Sequence, residues 1–415
     1  MNSATAVLLA LLLVVSLPAM AVTATESGAG SEEDDPASVD ESPRQNESQY
    51  AAPVEANNTT NRLPLDGEIR SEHTDHSNDL GTALASRDDE LRVDHEQYTL
   101  VDSGFDDAST EERAEMVQTA YDRLRERADE LESREREAVR EHAEGDRSTT
   151  ELVQTLIRNY NEASMLSAVL SDLQDRTDRI PGYSIPTQQV RGVERVFDFH
   201  QTPIRSDLES TTQTNQHTEL LVQTSENGYS ISTIDRGSYT VETTRFDHRD
   251  TDKPDQFADI EVSEALDRTM EFYPWAEEDG SPRFWALRSN NLYWADVSHS
   301  QGVLEVYVDG GTASVHREIQ QLFVTALPDA DETSWTDGDL ELSVAETPAN
   351  GPAKVTVTGA DDDEPRDATI TVDGTEVGET GVDGVLWILP PADEYDIGVE
   401  TGDESVEVTV SDDED

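Results

Sequence analysis

Two histidines, His73 and His76, have a spacing that could support metal binding. They lie three residues apart with Glu72 and Asp75 beside them, and on a helix this spacing would direct both imidazoles to one metal ion. No third ligand is evident nearby, and residues 62–106 have only partial helical periodicity. We therefore predict a solvated polar stretch and no metal site.

Carboxylates are dense in two later stretches, residues 361–367 and 368–400, where calcium would find oxygen ligands. A helix-loop-helix calcium loop requires D-x-[DN]-x-[DN]-G followed by a distant Glu, and neither stretch has that spacing. The Asp373-Gly374 and Asp383-Gly384 pairs are residues that tight turns require, because glycine permits positive φ and aspartate bonds its own backbone. The stretch predicts turns, and calcium at one of the loops stays an open alternative.

The chain contains none of the common short catalytic signatures. G-x-S-x-G, H-E-x-x-H, a P-loop, the Rossmann glycine pattern and S-x-x-K are all missing from the sequence. Because 91 of the 415 residues are Asp or Glu, any pair of carboxylates could arise by chance. We predict a non-enzymatic protein with no catalytic residues, no cofactor-binding residues and no cofactor. An enzyme whose residues assemble without a motif is the alternative.

The first 24 residues have the features of a Sec signal peptide. An apolar run from Ala6 to Leu17 ends at Pro18 and is followed by small residues, as in segments that direct export and are then removed. Cleavage is predicted after Ala21 or after Ala24. An uncleaved N-terminal anchor is the alternative, because the segment from Ala4 to Val22 is just long enough to span a bilayer. Either way, we expect the rest of the chain to be extracellular or at the cell surface.

Residues 25–61 predict a disordered acidic linker, because they are rich in Glu, Asp, Ser, Pro and Asn. Three N-x-S/T acceptors lie in this segment, at Asn46, Asn57 and Asn58. In an exported and exposed segment these are candidate N-glycosylation sites. A glycosylated stalk would hold the folded parts away from the cell surface.

The charge of the chain indicates a halophilic protein. Its formal net charge is −62, and only Lys253 and Lys354 are lysines among 29 basic residues. Such repulsion opposes compaction in dilute salt and is screened in molar salt, where the Debye length is about 3 Å. Nucleic acid and anionic lipid are excluded as partners, since both require a basic surface. The absence of cysteine excludes disulfides and thiolate metal sites.

Residues 62–215 predict a helical domain that contains a hairpin of two long helices at about residues 109–178. Each helix follows a capping box and carries an apolar stripe at coiled-coil spacing, and the polar Glu135 interrupts the first stripe. A short loop between long helices predicts an antiparallel hairpin. Its stripes either bury one another and a third segment or also pair with a partner helix. The capping boxes are Ser109 with Glu112 and Ser148 with Glu151.

Residues 216–328 predict an antiparallel sheet that packs one helix, an α+β arrangement. Hairpin turns are expected at Asn227-Gly228, at Asn290-Asn291 and at Asp309-Gly310-Gly311. The helix is expected before Pro274.

This order of elements resembles the PepSY-type domain over roughly residues 258–320. The resemblance implies an extracytoplasmic domain that binds or restrains a partner, in some cases a protease, without catalytic residues of its own. The match rests on Val306, Val308, Asp309, Thr312 and Val315, with alanine after Thr312 where the family has glycine.

Residues 338–411 predict an all-β sandwich, because seven short strands follow one another from Leu340 onward. The middle of this region resembles the carboxypeptidase-regulatory-like or transthyretin-like module. That resemblance implies an extracellular accessory module rather than a catalytic one. Trp387 alternates with apolar neighbours along a strand and is expected in a core or an interface. The residues that carry the resemblance are Asp373-Gly374, Asp383-Gly384, Leu389-Pro390 and Tyr395.

The predicted fold class is multi-domain, with an N-terminal α-helical hairpin or bundle, a central α+β antiparallel sheet with one helix, and a C-terminal all-β sandwich. The whole chain resembles haloarchaeal secreted multi-domain proteins, a resemblance that implies no activity. We expect an exported cell-surface or secreted protein with a non-enzymatic binding or structural role and an unidentified protein partner. The alternative is a regulator, inhibitor or chaperone-like, of an extracellular enzyme such as a protease. The sequence leaves the oligomeric state open.

Overall fold

The computed structural model describes residues 51–214, 216–392, 394–402 and 404–411. The predicted signal segment, both of its cleavage positions, most of the acidic linker and Asn46 lie outside these residues. In the described part of the chain, no helix is long and apolar enough to cross a membrane. The described residues belong to one compact unit.

The end of the predicted disordered linker is folded. Residues 51–65, here called the strap, include a backbone bridge between Val54 and Arg62. Thr59 is buried and donates a 2.6 Å hydrogen bond to Gln301, a residue of the central sheet region. The linker prediction is therefore corrected for residues 51–61. The side chains of Thr59 and Asn61 donate to partners far away in sequence, which composition does not reveal.

A strand opens the region that was predicted to be helical. β1 (Arg70–His76) pairs antiparallel with β2 (Thr218–Ser225) along its whole length. Its sequence is polar on both faces, so it lacks the alternation that identifies a half-buried strand. Backbone pairing with β2 holds it in place. Helix α1 (Leu80–Gln97) follows, with Asp79 capping its first turn.

The predicted helical hairpin is confirmed. α2 (Thr110–Ala143) and α3 (Thr149–Thr177) each begin after a serine whose side chain accepts from the backbone N–H of the glutamate three residues later. In both capping boxes the glutamate side chain also accepts a hydrogen bond from the serine backbone N–H. Two further helices, α4 (Thr187–Asp198) and α5 (Pro203–Gln213), complete this layer.

Replacing Ser148 by alanine should lower the free energy of unfolding by about 1 kcal/mol. The change removes the acceptor for the Glu151 N–H and half of the capping box. Urea denaturation followed by circular dichroism would measure the loss. Ser171→Ala in the interior of α3 is the control, since Ser171 is exposed and caps nothing, and an equal loss in both variants would contradict the capping role.

The central sheet contains eight strands within the described residues, in the order β1-β2-β3-β4-β8-β7-β6-β5, all antiparallel. The predicted hairpin turns are present, and Asn291 adopts the positive φ of 50° that its turn requires. The strands not yet bounded are β3 (Gly228–Asp235), β4 (Ser238–Arg245), β5 (Ser281–Leu287), β6 (Leu292–His299), β7 (Gly302–Asp309) and β8 (Ser314–Phe323).

The helices pack on both faces of this sheet. On one face, α2, α3 and α5 share a hydrophobic core with β2 and β3. On the other face lie α6 (Val262–Met270) and α7 (Pro274–Asp279), where one helix was predicted. The chain breaks between them because Pro274 cannot continue α6 but is well suited to the first turn of α7.

The predicted C-terminal sandwich is confirmed and consists of two four-stranded sheets. Its apolar side chains alternate inward to form a core of its own. An additional polar strand, β9, precedes the first predicted one. The strands are β9 (Glu332–Asp337), β10 (Leu340–Ala345), β11 (Ala353–Gly359), β12 (Thr369–Val372), β13 (Thr375–Glu379), β14 (Val385–Ile388), β15 (Tyr395–Thr401) and β16 (Glu404–Val410), in sheets β14-β11-β10-β9 and β13-β12-β15-β16.

The sandwich packs against the central sheet on the side that carries the strap. Leu389 and Trp387, at the end of β14, join a cluster with apolar side chains of the sheet. Trp387 therefore lies at the interface between the two, which is one of the two positions expected for it. The sheet side of the cluster comprises Leu221, Ile234, Tyr239, Val241, Leu322, Val324 and Leu327.

Candidate binding cleft

Three strand edges border a cleft of about 520 Å³ between the sandwich and the central sheet. β1 ends the central sheet, while β13 and β14 each end one sheet of the sandwich. Within the described residues, each of these strands has a paired neighbour on one side only. An edge strand presents backbone N–H and C=O groups that another extended chain can pair with.

The walls of the cleft are apolar and its mouth is acidic. Asp75, Glu219 and Glu376 lie around the opening. Partial burial raises the pKa of Glu219, and the nearby charges of Asp75 and Glu376 raise it further. The mouth therefore favours a cationic group. The apolar wall residues are Leu220, Ile234, Val377, Val385, Leu386, Trp387, Ile388 and Leu389.

The two histidines considered for metal binding do not converge. Both lie on β1, where residues three apart point to opposite faces, so the helical spacing argument does not apply. His73 Nε2 lies 2.9 Å from the carbonyl oxygen of Leu389, which ties β1 to the sandwich. His76 Nε2 lies 2.9 Å from Thr212 Oγ1. Among the described residues, no group of three or more His, Cys, Asp or Glu side chains has the arrangement of a metal site.

The Asp-Gly pairs are turns, as the sequence predicted. Asp373 and Gly374 have φ values of 50° and 76°, and Gly384 has a φ of 70°. The Asp373 carboxylate also accepts a 2.9 Å hydrogen bond from the backbone N–H of Asp396. In residues 361–367, the Asp362 carboxylate is occupied by Arg366. These acids stabilise loops.

Two of the three predicted glycosylation positions lie in the strap. The side chains of Asn57 and Asn58 are exposed, while Thr59 and Thr60, the hydroxyl residues of their acceptor triplets, are buried. The Asn58 carbonyl accepts a 2.8 Å bond from Gln301. Attachment of a glycan at either asparagine after folding would leave these buried contacts in place, so glycosylation there stays a prediction.

A network of buried charges joins the helices to the opposite face of the central sheet. Arg205 on α5 donates to both oxygens of Glu135 on α2, at 2.7 and 2.8 Å, and to Glu242 on β4 at 3.0 Å. The Tyr229 hydroxyl lies 2.9 Å from Glu135 and 2.8 Å from Glu242. His200 Nδ1 lies 2.9 Å from Glu135. None of these side chains is more than 3% exposed.

The charges in this network stabilise one another. Burial acts to raise the pKa of Glu135, but the charges of Arg205 and His200 outweigh it and hold that pKa well below its ordinary value. Burial lowers the pKa of His200 despite the attraction of Glu135. The adjacent void is only about 20 Å³, the size of a single water. The network is therefore enclosed and connects the layers; a substrate could not reach it.

The sequence contained one signal for this network. Glu135 interrupts the apolar stripe of α2, and a carboxylate at such a position must find a buried partner. Its partner Arg205 lies 70 residues later, on α5, so no local pattern connects the two. His142, at the end of the same stripe, is also buried and bonds Thr224 on β2 and Thr149 on α3. Polar residues at stripe positions thus mark where α2 meets the sheet.

A larger cleft of about 760 Å³ lies between α2, α4 and the loop at residues 249–252. It mixes cations such as Arg125 and Arg249 with anions such as Asp129 and Asp252. Because its charges are of both signs and it has no unpaired strand edge, it defines no ligand class.

Three family descriptions match successive parts of the chain. "Domain of unknown function (DUF7096)" matches residues 1–217, "Family of unknown function (DUF7094)" matches residues 220–328, and "Archaeal fibronectin-III type-like domain" matches residues 331–408. A comparison with curated proteins gave no match. The sandwich is thus fibronectin-III-like, and its resemblance to the carboxypeptidase-regulatory-like module extends to the sandwich architecture alone. The region that resembled PepSY falls in the DUF7094 match.

Proposed function

The chain belongs to the family of proteins with the DUF7096 domain, and from this premise we propose that it is an exported, non-enzymatic binding protein of the haloarchaeal cell surface. Its archaeal fibronectin-III type-like domain fits a structural or binding module. The proposed binding site is the cleft between that domain and the central sheet. Its occupant is an extended segment of a partner protein.

The observation that carries this proposal is the meeting of the edges of β1, β13 and β14 at one apolar cleft. An extended peptide that adds a strand to an exposed edge gains affinity from backbone hydrogen bonds and specificity from pockets for alternate side chains. The apolar walls, including Trp387, would take those alternate side chains. A cleft of this size accommodates a few residues of such a peptide.

The acidic residues at the mouth of the cleft restrict the sequence of the partner segment further. Asp75, Glu219 and Glu376 favour a segment in which a Lys or Arg flanks the apolar residues. The same charges, like the net charge of −62, disfavour nucleic acid. The partner is therefore a protein segment that is apolar on one face and basic at one end.

Export and surface location are supported by the sequence of the N-terminal segment. Its apolar run and small-residue cleavage sites fit a signal peptide. The acidic surface fits a protein that works in molar salt, where its own repulsion is screened. An uncleaved N-terminus or the bound partner itself would retain the protein at the surface.

Affinity capture tests the proposal. Tagged wild-type protein and a Glu376→Arg variant would be recovered from membranes and culture medium of a haloarchaeal host in high salt, and bound proteins identified by mass spectrometry. Glu376 is exposed on β13, so the variant should fold normally while it reverses a mouth charge and places a long side chain across the edge. We expect about a tenfold lower recovery of the partner.

Glu407→Arg is the matched control, because Glu407 is exposed on β16, the opposite edge of the same sheet. It should recover the partner as the wild type does. Equal recovery by Glu376→Arg would show that the cleft is not the binding site. Wild-type protein found only free in the medium, without a partner, would contradict the function itself.

The regulator of an extracellular enzyme is the second candidate. A strand edge that holds an extended segment is suited to restraining the loop or propeptide of a protease. The capture experiment decides between the two, since a secreted protease among the recovered proteins favours the regulator and surface-layer or secretion components favour the adaptor.

A further inference from the structure

A smaller, separate pocket lies between the strap, the central sheet and the sandwich. Its volume is about 170 Å³, enough for roughly five waters or a small organic acid. It is closed on one side by Leu63–Leu65 of the strap and on another by Asn350 and Gly351 of the sandwich. Arg62 and Glu318 contribute its charged groups.

Arg62 is a buried cation that forms no direct ion pair with any described residue. It is 8% exposed, and its backbone is fixed by the bridge to Val54. Its Nη1 donates a 3.3 Å bond to the Tyr239 hydroxyl, and its guanidinium lies 5.1 Å from the centre of that ring. Within the described residues its Nε and Nη2 have no hydrogen-bond partner, and its charge acts on the nearby Glu318 carboxyl group without a direct ion pair. A buried charge left in this state is strongly destabilising.

The two free nitrogens define the chemistry of the missing partner. The N–H of Nε and one N–H of Nη2 point the same way from the planar guanidinium and form a fork. Such a fork matches the two oxygens of a carboxylate in a bidentate pair. We propose that the Arg62 pocket binds a small free carboxylic acid as its anion, held side-on by Nε and Nη2.

Glu318 sets the conditions for this binding. Its carboxyl group accepts from the Leu63 N–H, the Tyr273 hydroxyl and Gln320. Burial raises its pKa to about 7, although these bonds and the charge of Arg62 oppose the rise. Below this pH Glu318 is neutral and the pocket has the charge of Arg62 alone. Above it, the Glu318 carboxylate repels a second anion, so affinity should fall as pH rises from 6 to 8.

Gly351 provides a way to alter the pocket without removing Arg62. A Cβ at this position would meet Thr347 Oγ1 and would lie 2.7 Å from Arg62 Nη2 and 2.9 Å from Nη1, so both side chains would have to move. Gly351→Ala would therefore displace the guanidinium and disturb the fork. This variant keeps the charge, so it separates fork geometry from simple electrostatic attraction.

Calorimetric titration of the full chain with sodium acetate, exchanged against sodium chloride at constant ionic strength and pH 6, tests the proposal. We expect saturable binding to the wild type and at least a tenfold weaker affinity for Arg62→Met, the effect of losing charge-assisted hydrogen bonds. Arg236→Met is the matched control, since Arg236 is an exposed arginine, and it should bind acetate as the wild type does. Equal affinity for the wild type and Arg62→Met would overturn the proposal.

A second measurement keeps the test valid if Arg62→Met does not fold. In an NMR spectrum of protein labelled with ¹⁵N-arginine, the Arg62 Nε–H signal is assigned as the one that moves in the Gly351→Ala variant. Acetate should shift that signal in the wild type. No shift at saturating acetate would overturn the proposal. A tri-alanine peptide with a free C-terminus distinguishes the source of the carboxylate. Tighter binding of this peptide than of acetate would show that the pocket takes the C-terminus of a polypeptide, and would overturn the assignment to a small free acid. The site does not depend on the proposed function, because neither Glu376 nor β13 lines it.

Discussion

Replacing Arg205 by methionine should lower the free energy of unfolding by about 3–5 kcal/mol, the cost of removing one partner from a buried ionic group. The change leaves the Glu135 and Glu242 carboxylates, which are at most 1% exposed, without the cation that bonds both. Arg317 keeps an ion pair with each carboxylate at 3.4 Å, which offsets only part of the loss because these contacts are longer than those of Arg205. Because Arg205 is on α5, Glu135 on α2 and Glu242 on β4, the loss should loosen the helices from the sheet.

Urea denaturation of the wild type and variant, followed by circular dichroism, would measure this effect. Arg268→Met is the control, because Arg268 forms an exposed pair with Glu264 at 2.8 Å and such pairs contribute less than about 1 kcal/mol. Combining Arg205→Met with Glu135→Gln should cost less than the sum of the single changes, since the second removes a charge stranded by the first. A loss for Arg205→Met no larger than for Arg268→Met would show that the network does not join the layers.

Stability should also depend on pH through Glu318. Burial raises its pKa in the folded state from an ordinary 4.5 to about 7, so the folded protein binds this proton more tightly than the unfolded chain does. The stabilisation that this proton gives the folded state is fully present below pH 4.5 and is lost as pH rises through 7. The difference corresponds to about 3 kcal/mol of unfolding free energy between these limits.

Glu318→Gln should remove this fall in stability between pH 5 and 8. Urea midpoints of both proteins at each pH would measure it, and the difference between the two curves isolates Glu318 from other titrating groups. His142, whose pKa burial lowers to about 4, makes the opposite contribution in both proteins, because its stabilisation is lost on acidification. Glu264→Gln, an exposed position, should leave the curve unchanged. Parallel curves for the wild type and Glu318→Gln would contradict the prediction.

The Glu135–Arg205 network and the Glu318 carboxyl group lie on opposite faces of the central sheet. Two neighbouring residues of β8 belong to them, one on each face. Arg317 on β8 faces the helices and the Glu135 network, while Glu318, the next residue, faces the strap. Side chains alternate across a strand, so β8 supplies a charged residue to each interface. The strap and the sandwich cover one face and the long hairpin covers the other.

The local elements of this protein followed from its sequence because their signals are local. The capping boxes at Ser109 and Ser148, the stripes of α2 and α3, the Asp373-Gly374 turn and the alternating strands of the sandwich each depend on residues a few positions apart. These signals gave the fold class correctly. They also identified the polar interruption at Glu135.

The candidate sites were decided by the tertiary structure, because each joins residues with no local relation. The cleft forms where β1 meets β13 and β14, about 300 residues later, and β1 lacks the apolar alternation that would identify it. Arg62 was placed at the start of the predicted helical domain, since nothing in its neighbours shows that Tyr239 and Gly351 lie against it. Composition determined the acidic surface, and short-range sequence patterns determined the local elements. Long-range packing decided which polar residues became buried and which strand edges stayed open.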